Sequence, residues 1–165
     1  MLTIKQIKAL AGRAITDKAL VKADFTIHTG PGMWSNGHLV IREDAPDLDV
    51  EVKPLSDDIV DKFRQALESD SPLYPVEIVG FDDHDLRLVR FTDGFREGWF
   101  IGSQVNAILK RAGKKADVQF FSADWQGHLT LTIRNGKPLG MIMPYVVSEH
   151  FAFDWNFAYT GDLPA

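Results

Sequence analysis

The sequence predicts an α+β fold built from three repeated helix-plus-hairpin units, and three observations carry that prediction. Three segments with helical periodicity begin about fifty residues apart. Each is followed by paired segments rich in β-branched and aromatic residues. The hairpins also share words: Trp34-Ser35-Asn36-Gly37-His38-Leu39 matches Trp125-Gln126-Gly127-His128-Leu129, and the strands that follow end alike, in Ile41-Arg42 and Ile133-Arg134. Recurrence of one supersecondary unit at a fixed period is the signature of internal duplication. No Gly/Ser-rich or Pro-rich linker separates the units. The expectation is therefore one domain over residues 1–147, in units of about 1–53, 54–97 and 98–147, with a continuous, mostly antiparallel sheet and the helices on one face. Residues 148–165 form a C-terminal tail.

The first helix opens with the capping box Thr3-Ile4-Lys5-Gln6 and places Ile4, Ile7, Leu10, Ala11, Ala14 and Ile15 on one face. Its hairpin is expected at Asp24–His28 and His38–Arg42, around the Gly30-Pro31-Gly32 loop. The second helix follows Pro54 and Ser56, carries Asp57 and Asp58 in a first turn that favours acids, and turns Ile59, Val60, Phe63, Ala66 and Leu67 inward. Val76–Val79 and Leu86–Arg90 pair after it, across Asp82-Asp83-His84-Asp85. The third helix is expected to start at Ser103 as N-cap, to bury Val105, Ile108, Leu109 and Ala112, and to stop at Gly113. Asp117–Phe121 and His128–Arg134 then pair, and a further turn follows at Asn135-Gly136.

Composition narrows the function classes. The chain is 45 % apolar, enough for a core without staples, and it has no cysteine, which excludes disulfides, thiolate nucleophiles and Cys-based metal centres. The N-terminus lacks the charged-then-apolar run of a secretory leader, and no run of eighteen apolar residues occurs, so the expected location is cytoplasmic with no membrane partner. Charge is segregated. Residues 1–23 carry five basic residues and one acid, residues 98–147 six and two, and residues 43–97 six against sixteen acids. Such asymmetry fits a polyanion site, basic and acidic surfaces that dock between subunits, or ordinary solvated charge.

Catalytic chemistry is hard to find. His38, His84 and His128 occupy equivalent turns, one per unit, and no His-x-x-x-His or Glu-x-x-His pair exists to chelate a metal. Asp82-Asp83-His84-Asp85 lacks the calcium-loop pattern and is explained as turn chemistry, with a weak cation site or a hydrolase as the less favoured uses. There is no Gly-x-Ser-x-Gly elbow, and Gly30-Pro31-Gly32 is no phosphate cradle, because no lysine follows and proline removes a donor. The expectation is a non-enzymatic binding protein with no cofactor and no metal. Lys110, Arg111, Lys114 and Lys115 close the third helix, where they complement its dipole or hold phosphates. In Phe151-Ala152-Phe153-Asp154-Trp155-Asn156-Phe157-Ala158-Tyr159 an aromatic recurs at every second position, which predicts a strand buried against its own sheet or a neighbour's.

The third unit resembles the closing segment of the bacterial DNA polymerase sliding clamp, the β-type processivity ring. The likeness lies in Trp99-Phe100-Ile101-Gly102, the helix carrying Val105 and Leu109, Val118, Leu129 to Ile133, and Met141-Ile142-Met143-Pro144. The first unit resembles the opening of that family through Met1-Leu2-Thr3, its helix, and Asn36-Gly37-His38-Leu39-Val40-Ile41 leading to Asp47–Val52. A clamp domain has two such units where this chain has three, so the resemblance is to a short or phage-type relative. It implies a non-enzymatic homo-oligomeric ring with helices facing duplex DNA, and replication proteins as partners. The DNA-facing positions it implies are Lys5, Lys8 and Arg13 of the first helix with Lys110, Arg111, Lys114 and Lys115 of the third. The implied partner cleft lies at Met143 and Pro144, with Phe153 and Trp155 of the tail beside it. The alternative is an interaction module of similar fold that does not bind DNA.

Overall fold

The computed structural model describes residues 3–10, 14–22, 26–81, 86–113, 116–125 and 127–145. Helix α1 (Ile4–Leu10) opens on the expected capping box: Gln6 N donates to Thr3 Oγ1 at 3.2 Å and Thr3 N to Gln6 Oε1 at 2.9 Å. It does not run on to Ile15. A separate helix, α2 (Asp17–Lys22), follows Thr16, whose hydroxyl accepts from Ala19 N at 3.2 Å. Strands β1 (Thr26–Gly30), β2 (Met33–Ser35) and β3 (Leu39–Ile41) form an antiparallel meander, and β4 (Glu51–Pro54) lies parallel to β1.

Helix α3 (Asp57–Leu67) is capped by Ser56, whose Oγ accepts from Ile59 N at 3.3 Å, and it buries Val60, Phe63, Ala66 and Leu67. After it come β5 (Ser71–Pro72), β6 (Tyr74–Phe81), β7 (Leu86–Thr92) and β8 (Glu97–Ile101). Helix α4 (Gly102–Leu109) ends in a 3-10 turn, Lys110–Ala112. Its N-cap is Ile101 rather than Ser103, with no side-chain cap, because β8 runs directly into it. Gly113, at φ 80°, supplies the expected stop in a conformation that other residues rarely adopt. Strands β9 (Gln119–Trp125), β10 (His128–Asn135) and β11 (Lys137–Ile142) complete the described chain.

The fold is α+β, but the strands do not form one continuous sheet. Eight join in a mixed sheet in the order β4-β1-β2-β3-β11-β10-β9-β5, and β6-β7-β8 form a separate antiparallel sheet. Proline explains the break. Strand β5 pairs with β9 over two residues only, and Pro72 and Pro75 remove N–H donors that a longer ladder would need. The chain then starts a new sheet, which packs on the first through Phe91 of β7 and Phe120 of β9, ring centroids 5.0 Å apart.

Nor do the helices share one face. Leu39 and Ile41 of β3 and Ile142 of β11 join a core with Ile7 of α1, Val105, Ile108 and Leu109 of α4, and Val89, Phe91 and Phe100 of the small sheet. Val40 and Met141, pointing the other way, join a second core with Val60, Phe63 and Leu67 of α3. The large sheet is thus a middle layer, with α3 on one side and α1, α4 and the small sheet on the other. Among the described residues no helix is long and apolar enough to cross a membrane.

Candidate nucleic-acid interface

Helix α1 lies beside α4, and a buried asparagine fixes the junction. Asn106 interrupts the apolar run of α4, is 7 % exposed, and its Nδ2 donates to Lys8 O at 3.3 Å. One helical turn further on along the same side stands Lys110. Lys5 and Lys8 sit three apart on α1 and are exposed, as is Lys110. Of the anticipated DNA-facing set, Lys5 and Lys8 thus lie on α1 and Lys110 at the end of the α4 helix that it meets. Arg13, Lys114 and Lys115 lie outside the described residues.

Arg111 is placed differently. It is 15 % exposed, its Nε donates to Glu43 Oε1 at 2.6 Å and its Nη2 to Asp17 Oδ1 at 2.8 Å, while Nη1 donates to Ala107 O. Burial opposes its charge, yet the hydrogen bonds and charges of Asp17 and Glu43 outweigh that and raise its pKa. This guanidinium ties α2 and the loop after β3 to the end of α4. The partners Asp17 and Glu43 carried no signal in the sequence, since they stand 94 and 68 residues away.

Helix α4 is also closed in. Six of its residues, Gly102, Val105, Asn106, Ala107, Ile108 and Leu109, are buried, and only Ser103 and Gln104 are partly exposed, so it is a core helix. The acidic side chains of Asp57, Asp58 and Asp61 on α3 and of Glu68 at its C-cap are exposed, across the large sheet from α1. Two are paired along the helix, Asp58 with Lys62 at 3.4 Å and Asp61 with Arg64 at 4.0 Å.

Of the anticipated partner-binding residues, Met143 is half-buried against the α3 core and its N–H donates to His38 O at 2.9 Å. Pro144 is half-buried. Tyr145 N donates to Trp99 O at 2.7 Å, so the chain passes from the large sheet to the edge of β8 at this point. Phe153 and Trp155 lie outside the described residues, as does the turn Asp82–Asp85. Among the described residues no group of three or more His, Asp or Glu is placed to hold a metal ion. No family model, curated protein or solved structure matches the chain.

Proposed function

We propose that this chain is a non-enzymatic, clamp-like binding protein of the cytoplasm that associates with duplex DNA through its phosphates. The observation that supports it is the junction of α1 and α4, where Asn106 bonds the Lys8 carbonyl and the exposed residues Lys8 and Lys110 belong to the two helices that meet. Three exposed lysines suit sequence-independent contact with a phosphate backbone. In this reading the three units are diverged copies of one clamp-type repeat, the protein self-associates, and Met143, Pro144, Phe153 and Trp155 take part in contacts with replication proteins. Titrating a labelled duplex at about 50 mM salt tests it. Binding that is weak, indifferent to sequence and abolished by Lys5→Glu, Lys8→Glu and Lys110→Glu together supports the reading. Absence of binding to both linear and circular duplex at that salt sinks it.

A second reading, an interaction module that never touches DNA, is favoured by the closed surroundings of α4 and by the commitment of Arg111 to Asp17 and Glu43. Here the exposed lysines meet an acidic protein surface. The same charge reversals would then lower the mass in solution and leave no DNA affinity to lose.

A further inference from the structure

Strand β9 has β10 along one edge, but along the other β5 covers only part of it, with Ser71 and Pro72 opposite Ser122 and Phe121. The register fixes which residues present their backbone to that side. Trp125 pairs with His128 at the hairpin, and Ala123 O lies towards β10, where it accepts from Thr130 Oγ1 at 3.1 Å. By alternation, residues 120, 122 and 124 direct N–H and C=O towards β5. Phe120 O there accepts from Leu73 N at 2.9 Å, and Ser122 O accepts from the Ser69 hydroxyl. Asp124 comes next, and among the described residues no strand stands opposite it. Its edge opens into a cleft of about 590 Å³ that continues the line of β5. Lys62 and Gln65 of α3, Ser69, Arg96 of the β7–β8 turn and Trp125 line it.

We propose that this cleft is a strand-addition site for an extended peptide segment with acidic side chains. A strand added to β9 exchanges main-chain hydrogen bonds with Asp124 and sends successive side chains alternately towards α3 and towards the β7–β8 turn. Lys62 waits on the first side and Arg96 on the second. Their present ion pairs are long: Lys62 stands 3.4 Å from Asp58, and the Arg96 side chain 3.5 Å and 3.9 Å from Asp93 and Asp124, with both basic side chains more than half exposed. Pairs of that kind contribute little and exchange readily for a better-placed carboxylate. Trp125, stacked on Phe63 with centroids 5.0 Å apart, gives the lining of the cleft a rigid apolar ring. Its volume falls within the range of ligand clefts. The site shares no residue with the α1–α4 junction, so it stands or falls independently of DNA binding.

The probe is a labelled hexapeptide, acetyl-Thr-Val-Glu-Glu-Val-Thr-amide, whose adjacent glutamates face opposite sides when extended, titrated against the full chain by fluorescence anisotropy. Saturable binding is expected, weakened about tenfold or more when both glutamates become lysine or when Lys62→Glu and Arg96→Glu are combined. Asp124→Pro deletes the outward N–H without touching the β10 ladder, a change that edge strands accept, and should weaken binding by a similar factor, whereas Asp124→Asn should not. Should Asp124→Pro fail to fold by circular dichroism, N-methylation of the peptide backbone makes the same test from the other side. No binding at about 1 mM peptide overturns the proposal. So does an N-methylated peptide that binds as well as its parent, or indifference to both charge reversals.

Discussion

Replacing Arg111 by Met separates a structural clasp from a phosphate contact. The guanidinium is 15 % exposed, whereas the Asp17 and Glu43 side chains are 33 % and 43 % exposed, so water rehydrates the carboxylates once the arginine is gone. Breaking a fully buried pair costs about 3–5 kcal/mol and an exposed one about 0–1, and this half-sheltered pair of contacts falls between, at about 2 kcal/mol. For a chain of this length that is a fall in melting temperature of about 4–8 °C. Urea denaturation of Arg111→Met, with Asp17→Asn and Glu43→Gln in double-mutant cycles, measures the coupling directly. Stability within about 0.5 kcal/mol of wild type, together with a loss of salt dependence in DNA binding equivalent to about one phosphate, would show that Arg111 faces DNA instead.

Phe91→Ala should cost about 4 kcal/mol in urea denaturation, because that ring meets Phe100 edge-on at 5.7 Å and Phe120 at 5.0 Å and so joins the two sheets; a cost below about 1 kcal/mol would mean that the sheets do not depend on that contact. Gly140→Ala should cost about 2 kcal/mol, since an added Cβ would stand 2.7 Å from Val40 O, a backbone atom that cannot swing away, and 2.8 Å from Ile108 Cδ1; wild-type stability in that variant would contradict the β3–β11–α4 packing. The Asp93 carboxylate accepts from Arg96 N at 2.7 Å and Phe95 N at 2.8 Å, and these bonds hold its pKa below the ordinary 3.8. A depressed acid stabilises the fold above its unfolded pKa and loses that contribution as pH falls through the lower folded value. The stability gap between wild type and Asp93→Ala should therefore be present near neutral pH and close as pH drops below about 4; a gap independent of pH would contradict it.

Local signals in the sequence carried the elements further than the architecture. Thr3 and Ser56 cap helices where their spacing says they should, Ile7 of α1 is buried, and the apolar face of α3 is the one the period gives. What periodicity could not reveal was which elements meet. Yet Leu39-Val40-Ile41 is apolar at three consecutive positions, and all three are buried, the mark of a strand covered on both faces rather than one. Taken as such, it argues against helices on a single face. The split into two sheets was likewise present in Pro72 and Pro75, residues that interrupt a ladder. For the basic site, composition picked out the lysines, but whether a cation is free depends on long-range partners. Arg111 is held by residues from two distant segments, and Asn106, buried in an apolar helix and bonded to Lys8 O, became meaningful only once α1 lay beside α4.

The salt dependence of duplex binding, compared between wild type and the combined Lys5→Gln, Lys8→Gln, Lys110→Gln variant, tests the α1–α4 junction most directly. Three phosphate contacts contribute about −2.7 to the slope of log K against log salt, or about 40-fold in affinity between 50 and 200 mM. The variant should lose that part of the slope while keeping its melting temperature, because exposed lysines contribute little to folding. An unchanged slope in a folded variant, or the absence of any binding by wild type at 50 mM salt, would show that these lysines do not meet DNA.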